Sequence, residues 1–369
     1  MADQPTQTQT TVTHQPPPQA GPSFYRLAAV IFCLIAIGWT TFLAVQHAWW
    51  LLAVGMPPLG LAIALALPRG PRRWSRKIAC AGLVLVSLPP LALWAYQAAM
   101  LYSPRPEPAQ QMLFQGVQYI REVVDVPQPA VVHIVKIDLT AEGVEVLVTP
   151  PDFPDEELAF KARTTSAFLR EFDLQIAINA GHFHPFRKTP IWEFYPLPGD
   201  PVGVLGASVS RGQVYAEPRR HFPMLDVSVD GRAVIAEHPP EPFYNAVTGI
   251  KRFRADAQPH RPARPEDARA RSAVYLDETG STLFLVAVDG GQAPYSVGID
   301  RPALSRIMLK HGAYEGMALD AGGSSTLVMQ GTSGRPSKLN RPVNLVPRLE
   351  RPVGTHIGIY AKPLNPEPR

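Results

Sequence analysis

The sequence predicts an α+β protein, a mixed β-sheet domain with flanking helices, preceded by three transmembrane helices. Three observations carry that reading. Residues 24–101 hold three apolar runs of membrane-spanning length. Beyond residue 131, short apolar runs bounded by Gly, Asn and Asp recur at strand length. Few segments in that region carry helix signals at both ends.

Residues 1–22 are rich in Gln, Thr and Pro with almost no apolar content, and read as a disordered tail because they cannot bury enough surface to fold. The region 23–101 follows, with "FYRLAAVIFCLIAIGWTTFLAVQ" at 24–46, "WWLLAVGMPPLGLAIALAL" at 49–67 and "IACAGLVLVSLPPLALWAYQAAML" at 78–101. Each run is near the roughly 20 residues that cross about 30 Å of hydrocarbon. The first is long for a signal peptide, and two more spans follow it. A buried helical core is the competing reading. Trp49, Trp50 and Trp94 stand near the run ends, where aromatic rings favour a membrane interface, and argue against it. Pro57–Pro58 and Pro89–Pro90 would kink the second and third spans, which membrane helices tolerate.

The loop "PRGPRRWSRK", 68–77, holds five of the six basic residues that precede residue 102. The positive-inside rule places it in the cytoplasm, so span one runs outward, span two returns and span three runs outward again. A multi-pass protein of a bacterial inner (cytoplasmic) membrane follows, with the lipid bilayer as partner and a periplasmic or extracellular C-terminal domain. The six basic residues before residue 102 face a single acid, Asp3, whereas the rest of the chain has 29 basic and 30 acidic residues. The basic excess therefore belongs to the membrane region and gives no sign of nucleic-acid binding. Cys33 and Cys80 lie in the same third, and a domain without cysteine is compatible with an oxidising compartment.

Residues 102–130 contain several prolines and read as a linker and entry segment. The domain proper is 131–363, with 364–369 as a tail. "VVHIVKIDL" and "GVEVLVT" have strand patterns, and Thr165 or Ser166 is placed to cap a short helix before a third strand, "LQIAIN". "MLDVSVDGRAVIAE" predicts a hairpin turning at Asp230-Gly231. Charged, proline-rich residues 252–271 read as a mobile insertion. "STLFLVAVDGG" is a near-continuous apolar strand, the kind buried on both faces. In "DRPALSRIMLKHG", 300–312, Asp300 is an N-cap, Pro302 lies in the first turn and Gly312 follows the end. "HIGIYA", 356–361, closes the domain as a last strand.

Three loops follow strand-like runs and carry small or polar residues: "AINAGHFHP" (177–185), "VAVDGGQ" (286–292) and "ALDAGGSST" (318–326). If their strands are neighbours, Asn179, Asp289 and Asp320 converge at one sheet edge. Glycines there let backbone approach a ligand and leave N–H groups free for an anion, and Ser324 and Ser325 add hydroxyls. Any one of these loops alone reads as ordinary turn chemistry. "DAGGSS" lacks the lysine of a phosphate-binding P-loop and forms no G-x-S-x-G elbow. His182 and His184 alternate on an extended segment, which points them apart and disfavours a joint metal site.

Together, "AINAGHFHP", "RSAVYLDETGSTLFLVAVDGG", "ALDAGGSSTLVMQG" and "RPVGTHIGIYA" resemble the phosphodiester glycosidase family over about residues 130–362. The resemblance implies hydrolysis of a sugar 1-phosphodiester, releasing sugar and a phosphomonoester. It matches Asn179 and Gly181 in the first block, Arg271, Asp289 and Gly290 in the second, Asp320, Gly322, Gly323, Ser324 and Ser325 in the third, and Arg351 in the last. The sequence departs from the family at Ala321, where glycine is usual, and at His182, where an apolar residue is more usual.

Cleavage at an anomeric carbon develops oxocarbenium character on the sugar while charge leaves on phosphate. Ordinary glycosidases need two carboxylates because an alkoxide leaves poorly. A phosphate leaves more readily, so the larger demand is for donors that hold it. These considerations assign Asp320 as the carboxylate beside the anomeric centre and Asp289 as a general acid or a ligand to sugar hydroxyls. Arg271 and Arg351 would clamp the phosphate with help from the Gly323–Ser325 backbone. The competing roles are turn capping for the aspartates and surface ion pairing for the arginines. No cofactor is called for, and a divalent cation shared by the aspartates stays open. The expected substrate is a cell-envelope or exopolysaccharide glycan bearing a sugar 1-phosphate diester. The alternative is a non-catalytic glycan-binding or polysaccharide-assembly domain on the same scaffold. Transport or signalling by the spans is disfavoured, since they lack acidic residues.

Overall fold

A computed structural model describes residues 58, 61, 73–188, 194–218, 221–254, 267–344 and 346–364. The chain divides into two compact units, Met1–Trp94 and Ala95–Arg369. The tail 1–22 and the first span lie outside the described residues, as does the second apart from residues 58 and 61. The third falls on a helix, Arg73–Leu101, with Pro89 and Pro90 inside it. Its segment Ala81–Leu101 is long and apolar enough to cross a membrane, and it is the one such helix among the described residues.

The domain is mostly β-sheet with a few helices. Its largest sheet has seven strands in the order Ala109–Phe114, Val117–Val124, Ala130–Asp138, Thr282–Val288, Arg271–Leu276, Glu315–Ala318, Lys251–Arg254. A second sheet has five, ordered Pro336–Lys338, Leu327–Gln330, Ile176–Asn179, His356–Tyr360, Glu145–Val148. Neighbouring strands in both sheets are antiparallel throughout, which corrects the expectation of a mixed sheet. The apolar strand "TLFLVAV" is buried on both faces as expected, and its two covers are different layers. Leu283, Leu285 and Ala287 face a core shared with Ile176, Ile178, Ile357 and Ile359 of the second sheet. Phe284, Val286 and Val288 pack instead on Leu304 and Met308 of the Arg301–Lys310 helix. On the far side, Phe168 and Leu169 of the Thr165–Glu171 helix cover Ala177 and Val328 of the second sheet. The order is helix, sheet, sheet, helix.

Local signals behave as their chemistry requires. Asp300 caps the Arg301–Lys310 helix by accepting from the Ala303 N–H at 2.7 Å. The shorter helix is capped one residue earlier than expected, by Thr164, whose hydroxyl accepts from Ala167 N–H at 3.1 Å. The Met224–Val227 and Ala233–Ala236 strands form the expected hairpin, with Gly231 at φ +75° in its turn. Two boundaries shift. Most of the expected linker is a hairpin, Ala109–Phe114 with Val117–Val124, turning at Gly116 with φ +71° and forming one edge of the large sheet. The expected insertion begins as the other edge strand, Lys251–Arg254, while 255–266 lie outside the described residues.

Candidate active site

The three loops meet because the strands before them do. The Arg271–Leu276 strand has Thr282–Val288 on one side and Glu315–Ala318 on the other, both antiparallel to it. Asp289 and Asp320 therefore emerge at the same end, one on each flank. Asn179 comes from the second sheet and ties the layers together. Its Oδ1 accepts from Ser272 Oγ at 2.7 Å and Thr326 N–H at 3.1 Å, and its Nδ2 donates to the Asp320 carbonyl at 2.7 Å. Asn179 is fully buried, so it positions Asp320 rather than presenting itself to a ligand. The Asp320 N–H donates to the Ala180 carbonyl and Leu319 N–H to that of Ser272, which closes the loop on both neighbours.

A cavity of about 320 Å³ opens here, lined by His182, Arg269, Arg271, Arg301, Asp320 and Gly322 with apolar side chains including Phe253 and Leu304. His182 Nε2 lies 3.2 Å from Asp320 Oδ1, with the two side chains 42% and 16% exposed. The hydrogen bond to Asp320 raises the His182 pKa above its usual 6.5 against the opposing effect of burial. Arg271 is buried and donates from Nε to the Ile299 carbonyl at 2.7 Å and from Nη2 to that of Asp267 at 2.6 Å. Burial, with the neighbouring charges of Arg301 and Arg269, lowers its pKa to about 10.

Asp289 stands apart from this cavity. It is 1% exposed, and both oxygens are occupied. Oδ1 accepts from the Arg341 backbone N–H at 2.6 Å, and Oδ2 from the Tyr295 hydroxyl and His133 Nε2, each at 3.2 Å. Tyr119 Oη lies 2.8 Å from His133 Nδ1 and extends the network. Gly290 packs against the backbone of Arg269 and Ala270, where a side chain would clash. Gly181 likewise abuts the Thr248 carbonyl, and its N–H donates to Thr355 Oγ1 at 3.2 Å.

The 320–325 turn separates into two faces. Gly322, with φ +68°, faces the cavity. Gly323 lies against the Arg351 guanidinium, which donates from Nη1 to Ser324 Oγ at 3.2 Å and from Nε to Asn344 Oδ1 at 3.4 Å, and stacks 4.8 Å from the Phe186 ring centre. Ser324 and Ser325 are buried beneath the turn, and neither lines the cavity. Burial lowers the Arg351 pKa, opposed by the charge of Asp320. Among the described residues no group of three or more His, Cys, Asp or Glu side chains is arranged to hold a metal ion.

Sequence reasoning missed Arg269 and Arg301 in the cavity, His133, Tyr295 and Arg341 around Asp289, and Asn340, which accepts from Leu327 N–H and donates to the Ser325 carbonyl. Arg269 had been assigned to the insertion, and Arg301 was read only as the residue after a cap. The others carry no local motif.

A phosphodiester glycosidase family profile matches residues 172–360. No curated protein sequence matches the chain. Among solved structures, it is similar to an exported-protein candidate from Burkholderia pseudomallei, at 15% identity and TM-score 0.45, over 63% of this chain and 74% of that one. A hypothetical protein from Synechocystis matches at 14% identity and TM-score 0.46, over 70% of this chain and 65% of that one. The catalytic domain of zebrafish N-acetylglucosamine-1-phosphodiester alpha-N-acetylglucosaminidase, auto-inhibited by its pro-peptide, matches at 18% identity and TM-score 0.46, over 71% and 86%.

Proposed function

The chain belongs to the phosphodiester glycosidase family, and on that premise we propose that it is a membrane-anchored extracytoplasmic hydrolase of sugar 1-phosphodiesters in envelope or exopolysaccharide glycans. The observation that carries this reading is Asp320 paired with His182 in the wall of an arginine-lined cavity. An anionic substrate is drawn to the arginines while a carboxylate stands ready for developing positive charge. Leu85, Leu88 and Leu93 are exposed on the Ala81–Leu101 helix, which supports the anchor.

In this mechanism the bond from the anomeric carbon to the phosphate oxygen breaks, and its electron pair leaves with the phosphomonoester. Water forms the new bond to that carbon and gives its proton to Asp320, which passes it to solvent. Asp320 also offsets the oxocarbenium charge in the transition state. His182 keeps the carboxylate oriented. Arg271 is fixed by the Ile299 and Asp267 carbonyls, which leaves Nη1 for the phosphate. Arg351 braces the Gly323–Ser324 turn behind Asp320. Asp289 acts from behind the wall, as the acceptor that holds the loops around it.

The test uses the full chain in detergent with a panel of sugar 1-phosphodiesters. Wild type is expected to release sugar and phosphomonoester, and Asp320→Asn to lose about 10²–10⁴-fold in kcat/KM. Glycan binding without turnover of any member would instead leave a binding or assembly domain.

A further inference from the structure

Hydrolysis of one phosphodiester requires recognition of one negative charge, yet three arginines line the cavity, Arg269, Arg271 and Arg301. Among the described residues none of the three has a carboxylate oxygen within ion-pair distance. Asp300, adjacent to Arg301, already caps Ala303 N–H at 2.7 Å, and Asp267 meets Arg271 through its carbonyl. Among the described residues Arg301 Nε is buried with no hydrogen-bond partner. A buried donor left unpaired costs stability, and clustered like charges add to that cost. Folding alone does not account for the group.

The backbone holds these residues in place. The Arg269 and Ile299 backbones bridge to one another, with the Ile299 N–H donating to the Arg269 carbonyl at 3.2 Å. Arg301 opens the Arg301–Lys310 helix, whose positive end adds to the field on the same wall. At Arg271 the opposing charges of Asp300 and Asp267 weigh less than those of Arg301 and Arg269. Guanidinium forks match tetrahedral phosphate oxygens bidentately.

We propose that Arg269 and Arg301 form a second phosphate subsite beside Arg271, so that the preferred substrate is a glycosyl pyrophosphate, with two phosphates in succession from the anomeric carbon. The inference rests on the hydrolase reading for its orientation, but the subsite itself is a matter of binding. Both phosphates face the arginine wall, and the sugar lies toward Asp320 and His182.

The experiment is calorimetric titration of the full chain in detergent with inorganic phosphate and inorganic pyrophosphate. Wild type is expected to bind pyrophosphate at least about tenfold more tightly than phosphate. Arg301→Gln and Arg269→Gln should each remove most of that preference. Arg301→Lys should restore part of it, and Arg306→Gln, on the exposed face of the same helix, should leave it intact. Thermal unfolding of each variant confirms that it is folded, and Arg269→Gln, at an exposed residue, provides the reading if Arg301→Gln does not fold. Equal affinity for the two anions overturns the proposal, as does a preference that survives both substitutions. Asp320→Asn should keep pyrophosphate binding while losing hydrolysis, so failure of the hydrolase reading is distinguishable from failure of the subsite. Competition by a nucleoside diphosphate against a polyprenyl diphosphate then identifies which kind of group lies beyond the second phosphate.

Discussion

His182 stands 3.2 Å from Asp320, at a position where the family usually has an apolar side chain. The pair favours the imidazolium, so the folded protein holds that proton to higher pH than an unpaired histidine. The sign follows: stabilisation is fully present below about 6.5 and is lost as pH rises through the raised value. His182 is open to solvent, so its effect on stability is small and its effect on the site matters more. In an NMR titration, the histidine resonance that disappears in His182→Gln is expected to titrate above 6.5 in wild type. In Asp320→Asn it should move down, and no movement would rule out the pairing. The neighbouring Ala321 is less consequential than its departure from the family suggests. Its φ of −129° is ordinary extended backbone, so alanine fits there without strain. The left-handed position is Gly322, where glycine is retained.

Among the elements, those with local causes were legible and those made by pairing alone were not. The Asp300 cap, the Asp230-Gly231 hairpin and the two-faced apolar strand each announce themselves within a few residues. The hairpin at 109–124 was read as linker because its outer strand is mostly exposed, giving "AQQMLF" no clear buried face. Its inner strand carries Tyr119 into register with the Ala130–Asp138 strand, where its hydroxyl reaches His133 and through it Asp289. The sequence located Asp289 at the right sheet end but could not reveal that long-range neighbours occupy both of its oxygens. Those neighbours come from residues 133, 295 and 341, with no fixed spacing to read. Asp289→Ala would leave three buried donors without an acceptor, at about 1–3 kcal/mol each. Tyr119→Phe removes one bond at the far end and should cost about 1 kcal/mol. The expected result is a large fall in the thermal midpoint for the first and a small one for the second. For Asp289→Asn, turnover per folded molecule should fall far less than for Asp320→Asn. A matching loss of turnover in a fully stable Asp289→Asn would return Asp289 to the catalytic centre.

At the scale of the whole molecule, the way the domain leaves its helix constrains which side of a membrane it occupies. Arg341 donates from Nη1 to the Met100 carbonyl at 2.6 Å and from Nη2 to Ser103 Oγ at 2.8 Å, and its backbone N–H holds Asp289. The Tyr96 hydroxyl donates to the Pro347 carbonyl at 2.9 Å. These bonds tie residues 96–103, where the helix ends and the chain leaves it, to residues 341–347. If Ala81–Leu101 crosses a bilayer, the domain lies on the side where that helix ends. Arg69, Arg72, Arg73, Arg76 and Lys77 cluster before the span, and the positive-inside rule keeps such a cluster in the cytoplasm. Beyond residue 101 basic and acidic residues nearly balance, 29 against 30, so that part of the chain supplies no competing retention signal. Fusion of alkaline phosphatase to the C-terminus of the full chain should therefore give an active reporter, and fusion of green fluorescent protein at the same point a dark one. Changing the five basic residues of the 68–77 loop to glutamine should weaken that bias and increase the fluorescent fraction. A bright C-terminal fluorescent fusion in the unaltered chain would place the cavity in the cytoplasm and remove envelope glycans as its substrate.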